Sequence, residues 1–219
     1  MFDVVAKDWI RVKICGITNE TDALAAIDCG ADALGFNLFP ASPRYIDLVG
    51  ARSWLEKLPR EICKVAVMVN PNANEVGQIT ELPFIDLLQL HGQESPEFCE
   101  TLAKARIPFA KAIPVIDRQS LNSLPNFHTS WLVLDSAAGE KFGGTGQIFP
   151  WSLARRFVEQ CRDFKVILAG GLTPGNVAQA IREVTPFGVD VTTGVEISRG
   201  KKDHRRLKAF VQAVRSARS

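Results

Sequence analysis

The chain is poor in several residue types that mark particular classes of protein. Among its 219 residues there are only three histidines, two methionines and one tyrosine. Its five cysteines form no C-x-x-C pair and leave an odd one over, so neither a zinc site of paired cysteines nor a disulfide framework is predicted. Free thiols are typical of a reducing compartment, and we therefore expect a cytoplasmic protein.

Long apolar runs and an excess of one charge are also missing. The segment Met1 to Trp9 mixes charged and apolar residues, so we expect neither a signal peptide nor a membrane span. Twenty-six basic and 24 acidic residues give a net charge of +2, which offers no electrostatic reason to expect nucleic acid or a membrane as partner. Basic residues cluster only at 201–208, where apolar residues at helical spacing predict the solvated face of a last helix.

What the sequence does contain is a regular alternation of apolar strand-like runs with helix-like segments. The length and the 46% hydrophobic content suit one large core, and we predict a single domain over 1–219. The strand-like runs lie near 10–15, 32–36, 63–69, 86–90, 109–115, 131–135, 165–169 and 188–191. Alternation predicts a parallel sheet, either open and doubly wound or closed, and the count of eight favours a (β/α)8 barrel.

Capping signals mark several helix ends. Asn70-Pro71, Ser95-Pro96 and Thr173-Pro174 each place an N-cap residue before a proline suited to the first helical position. A first helix over about 19–29 should stop at Gly30.

In a barrel of this kind the chemistry lies at the carboxyl ends of the strands. Cys15, Arg44, His91 and Asp135 all follow or end predicted strands. Taken singly, Cys15 suits a core position, His91 a structural role and Arg44 the surface, but Asp135 closes an apolar run where a purely structural carboxylate would need hydrogen-bond partners. Strand alternation puts Lys13 on the same face as Cys15, where an ammonium favours a thiolate.

Glycine-rich turns follow the last two strands. Gly170-Gly171, with Thr173-Pro174 predicted to open a helix, and Thr193-Gly194 both offer backbone N–H groups to an anion. Either turn alone could serve only to reverse the chain. Because a phosphate site built from these two loops recurs in barrels, the pair predicts phosphate binding.

These residues belong to longer motifs, and with them the sequence resembles the phosphoribosylanthranilate isomerase family of tryptophan biosynthesis. The motifs span nearly the whole chain in family order: Lys13-Ile14-Cys15-Gly16-Ile17-Thr18, Gly30-Ala31-Asp32-Ala33-Leu34-Gly35-Phe36, Ser42-Pro43-Arg44-Tyr45-Ile46, Gln89-Leu90-His91-Gly92, Leu134-Asp135, Gly143-Gly144-Thr145-Gly146, Leu168 to Val177, Gly188-Val189-Asp190 and Gly194-Val195-Glu196. Two departures concern the phosphate end: Thr192-Thr193 replaces a usual serine-containing pair, and residues 199–203 only approximate the family's proline-glycine-x-lysine-aspartate.

The resemblance implies an Amadori rearrangement. Members of the family convert N-(5-phosphoribosyl)anthranilate into 1-(2-carboxyphenylamino)-1-deoxyribulose 5-phosphate, with no metal and no organic cofactor. Carried over to the matching positions, Asp135 is the general acid, Cys15 the general base and Arg44 the ligand of the anthranilate carboxylate. The same resemblance places Gln89 and His91 among the substrate-binding residues.

Other functions are left open by the residues alone. An indoleglycerol-phosphate synthase would be expected to rely on lysine and glutamate at strand ends, and a ribulose-phosphate epimerase on a metal with histidine ligands. A barrel that binds a phosphosugar without catalysis is a third possibility, although it would not need Cys15 and Asp135. The oligomeric state is not predicted.

Overall fold

The computed structural model describes residues 9–117, 119–122, 124–136 and 149–217. Eight strands pair in chain order, all in parallel, and the eighth pairs with the first to close a barrel. They are β1 Arg11–Cys15, β2 Ala33–Asn37, β3 Cys63–Met68, β4 Leu87–Leu90, β5 Phe109–Val115, β6 Trp131–Ser136, β7 Lys165–Leu168 and β8 Gly188–Val191. The predicted (β/α)8 barrel is confirmed, and the open sheet is excluded.

Helices follow the strands and cover the barrel. They are α1 Glu20–Asp28, α2 Arg52–Leu55, α3 Ala73–Thr80, α4 Pro96–Lys104, α5 Gln119–Asn122, α6 Trp151–Gln160, α7 Val177–Val184 and α8 His204–Ser216. Between β8 and α8 the chain forms a 3₁₀ turn, Thr193–Val195, and a hairpin of β9 Glu196–Ser198 with β10 Lys201–Lys202. Within the described part of the chain, no helix has the length and apolar character that crossing a membrane requires.

Strand alternation divides the apolar residues between two layers. On β1, Val12 and Ile14 join the core between strands and helices, whereas Lys13 and Cys15 point into the barrel, as predicted. The barrel interior is filled by a separate apolar cluster that includes Val65, Leu87, Ala112, Val133 and Ile167. A filled interior leaves the carboxyl ends of the strands as the place for polar chemistry.

Of the predicted helix ends, two are confirmed and two are wrong. Ser95 caps α4 by accepting a hydrogen bond from the backbone N–H of Phe98, and Gly30, at φ +96°, follows the end of α1. Asn70 does not cap a helix; Asn72 caps α3, because it forms a reciprocal capping box with Glu75.

The second wrong prediction is a helix start at Thr173-Pro174, since α7 begins only at Val177. The Asn176 side chain accepts from the backbone N–H of Thr173 and donates to the carbonyl of Gly171, which holds the intervening residues in a turn. The loop after β7 therefore presents its own backbone, rather than the first turn of a helix, to any anion.

Candidate active site

A cavity of about 630 Å³ opens at the carboxyl ends of the strands. It is lined by most of the predicted site residues: Cys15, Arg44, His91, Asp135, Gly170, Gly171 and Thr193. Gly194 lies beside it, in a second depression with Thr173 and Arg206. The predicted motif Gly143-Gly144-Thr145-Gly146 lies outside the described residues.

Cys15 meets an ammonium group at the bottom of the cavity. The Nζ of Lys13 donates to Oδ2 of Asp190 at 2.9 Å. Gly35, on the neighbouring strand β2, leaves space for the side chains of Cys15 and Lys13. A Cβ at this position would lie 2.7 Å from the Cys15 Sγ and 3.0 Å from the Lys13 Nζ. Burial alone would lower the pKa of Lys13, but the Asp190 carboxylate and the Cys15 sulfur raise it above its ordinary value of 10.5. The ammonium therefore stays charged beside the Cys15 sulfur.

Asp135 has the hydrogen-bond partners that a buried carboxylate needs. Its Oδ1 accepts from the backbone N–H of Ser136 at 2.8 Å, and its Oδ2 lies 3.3 Å from the Nε2 of His91. Gly170, at φ +80°, passes so close that a Cβ would lie 3.0 Å from the Asp135 Oδ1. The carboxyl group is held from two sides at the cavity wall.

Gln89 lies behind His91 rather than on the cavity wall. Its side chain is 1% exposed and is absent from the cavity lining. The Nε2 of Gln89 lies 2.9 Å from the Nδ1 of His91, so it contacts the site through the imidazole. The substrate-binding role of Gln89 stays a prediction, and strand β4 turns this amide into the barrel behind His91.

Sequence reasoning missed an ionic cluster behind the predicted arginine. Arg44 is 7% exposed, and its Nε and Nη2 donate to the two carboxylate oxygens of Glu196 at 2.8 and 2.7 Å. Lys202, also buried, donates from Nζ to Glu196 Oε1 at 3.1 Å and to the Cys15 carbonyl at 2.5 Å. Two cations and one anion leave the cluster with one excess positive charge. The motif Gly194-Val195-Glu196 was a signal for it, but nothing in the sequence pairs Glu196 with Arg44.

Glu196 predicts an acid-sensitive contribution to stability. Burial opposes its charge, but the Arg44 hydrogen bonds and the Lys202 ammonium lower its pKa below the ordinary value of 4.5. A carboxyl whose pKa is lower in the folded state stabilises above the unfolded value and loses that contribution as the pH falls through the folded one. We expect Glu196→Gln to lower the free energy of unfolding by about 2 kcal/mol at pH 7. The difference in unfolding free energy between the variant and the parent protein, called the gap below, should shrink below pH 4.5.

Urea titrations of both proteins across this pH range measure the effect. The exposed pair of Arg155 and Glu159 supplies the control, since Glu159→Gln removes an ion pair of similar length, 2.8 Å, that water screens. A gap that stays constant with pH would show that Glu196 does not titrate with the fold.

The predicted phosphate-binding residues lie in the loops after β7 and β8. Gly170 and Gly171 both have left-handed φ values, +80° and +64°. Within the described residues the backbone N–H groups of Gly171, Thr193 and Gly194 have no acceptor. A Cβ on Gly194 would come 1.9 Å from the carbonyl oxygen of Leu172, so the two loops touch at a place where only glycine fits.

Metal ligands are not grouped at this mouth. Across the described ranges, no set of three or more His, Cys, Asp or Glu side chains is arranged to hold a metal ion. The chemistry that the geometry offers is proton transfer by a thiol and a carboxyl, with cationic and backbone sites for two anions.

Comparison with known proteins finds similar sequences. The family model described as N-(5'phosphoribosyl)anthranilate (PRA) isomerase matches residues 12–213. An N-(5'-phosphoribosyl)anthranilate isomerase of Pelobacter propionicus is 41% identical over 96% of this chain and 98% of its own.

Solved structures agree. The phosphoribosyl anthranilate isomerase of Thermotoga maritima superposes with a TM-score of 0.84 at 38% identity, covering 94% of this chain and 99% of the other. A second such structure, in complex with reduced 1-(o-carboxyphenylamino)-1-deoxyribulose 5-phosphate, has a TM-score of 0.81 at 37% identity over the same shares. The closed barrel, the strand-end residues and these matches along nearly the full length lead to one assignment: the chain belongs to the N-(5'-phosphoribosyl)anthranilate isomerase family.

Proposed function

We propose that the protein isomerises N-(5'-phosphoribosyl)anthranilate to 1-(2-carboxyphenylamino)-1-deoxyribulose 5-phosphate, with Asp135 as general acid and Cys15 as general base. The observation that carries the proposal is that these two groups line one cavity from strands three apart around the barrel. They can therefore act on different sides of one sugar. The simplest test is to add purified protein to the fluorescent substrate and follow the loss of its fluorescence.

The first step opens the furanose ring. Protonated Asp135 gives its proton to the ring oxygen while the C1–O bond breaks and the amine lone pair forms a C1=N iminium bond. Asp135 becomes a carboxylate, which the Ser136 N–H and the His91 ring are placed to stabilise.

The second step moves a proton from C2 of the sugar. The Cys15 thiolate takes it, the C–H electrons form a C1=C2 bond, and the iminium nitrogen recovers its lone pair. The enol then loses its hydroxyl proton as C1 gains one, which leaves the C2 ketone. The Lys13 ammonium lies beside the Cys15 sulfur that takes this proton.

Arg44 supplies the site for the anthranilate carboxylate. Glu196 holds the guanidinium by its Nε and Nη2, and among the described residues Nη1 has no partner. The cluster of Arg44, Glu196 and Lys202 has an excess positive charge, which attracts the anthranilate carboxylate that lies against Arg44.

The phosphate binds at the other end, to the backbone N–H groups of Gly171, Thr193 and Gly194. Thr192-Thr193, in place of the usual serine-containing pair, leaves these donors in the backbone. All five cysteines are free thiols, which supports a reducing, cytoplasmic setting for the enzyme.

The two ends of the substrate can be separated by experiment. Arg44→Ala is expected to weaken binding of the reduced product analogue by about 1.5–3 kcal/mol, the usual contribution of a charge-assisted hydrogen bond. Binding of ribose 5-phosphate, which has no carboxylate, should hardly change. Calorimetric titration of both ligands measures the split.

Arg199 provides the matched control, because it also lines the cavity but is exposed. Water screens an exposed charge, so Arg199→Ala should cost less than about 1 kcal/mol for either ligand. Equal losses for both ligands in the Arg44 variant would show that the carboxylate is bound elsewhere.

A further inference from the structure

The buried amide behind His91 has a specific orientation. Gln89 lies on β4 beside Val67 of β3 and Ala110 of β5, on the inward face of the strand. Its Nε2 faces the Nδ1 of His91 at 2.9 Å, and the Nε2 of His91 faces Asp135 Oδ2 at 3.3 Å. Gln89, His91 and Asp135 therefore contact one another in sequence, from the barrel interior to the cavity wall.

The contact between Gln89 and His91 determines which imidazole nitrogen carries the proton. An amide nitrogen only donates hydrogen bonds, so the Nδ1 that faces it must accept. In a neutral ring the proton then resides on Nε2, which lies 3.3 Å from Asp135 Oδ2. Ser136 donates to the other oxygen, so the carboxylate faces a backbone N–H at Oδ1 and the imidazole at Oδ2.

We propose that Gln89 is a positioning residue that fixes the tautomer of His91, so that His91 donates from Nε2 to Asp135 and stabilises the carboxylate left after ring opening. The inference rests on the proposed role of Asp135 as general acid. It assigns Gln89 no contact with substrate, in keeping with its burial below the cavity.

The other charged and titratable groups around the ring do not substitute for Gln89. Those that line the cavity with His91 are Cys15, Arg44, Asp135, Asp190 and Arg199. Behind the loop after β4, Lys111 and Glu94 form a buried ion pair at 2.8 Å, and Lys111 also donates to the Gly92 carbonyl. Of the described side chains, only Gln89 is a hydrogen-bond partner of Nδ1.

Nitrogen-15 NMR of the imidazole rings tests the inference directly. The chain has three histidines, and the variants His128→Asn and His204→Asn assign the other two by loss of their signals. In the parent protein we expect His91 with Nε2 protonated and Nδ1 bare at neutral pH. Gln89→Leu should give a mixture of tautomers, and Gln89→Glu, which is nearly isosteric, should protonate Nδ1 and hold the ring as a cation.

The pH dependence of kcat supplies a second measurement. Activity that needs a protonated Asp135 falls as the pH rises, and this limb should move to lower pH in Gln89→Glu, where the cationic ring favours the carboxylate. The same limb should move to higher pH in Gln89→Leu. Without the Gln89 amide the imidazole proton is no longer kept on Nε2, where it faces Asp135. We expect kcat of Gln89→Leu to fall on the order of tenfold, below the effect of removing the acid itself, with KM within about twofold.

Gln93→Leu is the matched control, since this exposed glutamine lies two residues beyond His91 in the same loop. It should change neither the ring signals nor the pH profile. An Nδ1-protonated His91 in the parent protein, or an unchanged tautomer in Gln89→Leu, would overturn the inference even in an active enzyme. If the ring signals change as expected but Asp135→Asn retains full turnover, the proposed function of Asp135 fails instead.

Discussion

Asp135→Asn and Cys15→Ala are each expected to lower kcat by at least about 10²–10⁴-fold, the usual contribution of one positioned proton donor or acceptor. The amide cannot deliver a proton to the ring oxygen, and the alanine cannot take one from C2. Steady-state kinetics with the fluorescent substrate give the result, and the far-UV spectrum should be unchanged in both variants.

Matched substitutions at the other end of the barrel separate chemistry from structure. Cys161 and Asp163 lie in the connection between α6 and β7, away from the carboxyl ends of the strands. Cys161→Ala and Asp163→Asn should retain near-parental turnover. Near-normal kcat in the Asp135 or Cys15 variant would remove that residue from the mechanism.

Gly194→Ala is expected to have the largest effect on stability. The added Cβ would lie 1.9 Å from the Leu172 carbonyl oxygen, which is backbone and cannot rotate away. Forcing the loops after β7 and β8 apart should cost upwards of about 3 kcal/mol of unfolding free energy. The same displacement separates the donors at Gly171 and Thr193, so affinity for inorganic phosphate and ribose 5-phosphate should fall together.

Gly77→Ala is the control for this substitution. Gly77 lies within α3, and a Cβ added there would meet nothing within 4 Å, so the change should stabilise the protein by about 0.5–1 kcal/mol. Thermal melts and phosphate titrations of the two variants give the comparison. A Gly194→Ala protein as stable as Gly77→Ala would show that the two loops do not touch at this point.

The fold could be predicted because its signals are local. Each strand is a short apolar run, and the inward direction of Lys13 and Cys15 follows from alternation alone. Helix starts were harder where two caps compete: Asn70 and Asn72 both precede a possible helix, and only Asn72 has Glu75 three residues on.

The site was predictable where chemistry coincides with a strand end, as at Cys15 and Asp135. The ion pair of Arg44 with Glu196 was not, since 152 residues separate its members and no local pattern records the pairing. The burial of Gln89 was not predictable for a related reason. A residue two positions before a strand-end histidine shares its face of the strand, but the sequence does not say how far below the mouth it lies.

The bond from Lys202 to the Cys15 carbonyl has a consequence for how the enzyme is made. The two residues are 187 positions apart, so Cys15 leaves the ribosome long before its partner is synthesised. A nascent chain that ends at Ser198 already contains all eight barrel strands, but it still lacks Lys202, the second cation that contacts Glu196. The hydrogen bond at the proposed base therefore forms only after β10 has been synthesised, so the last connection before α8 completes the surroundings of a residue on the first strand.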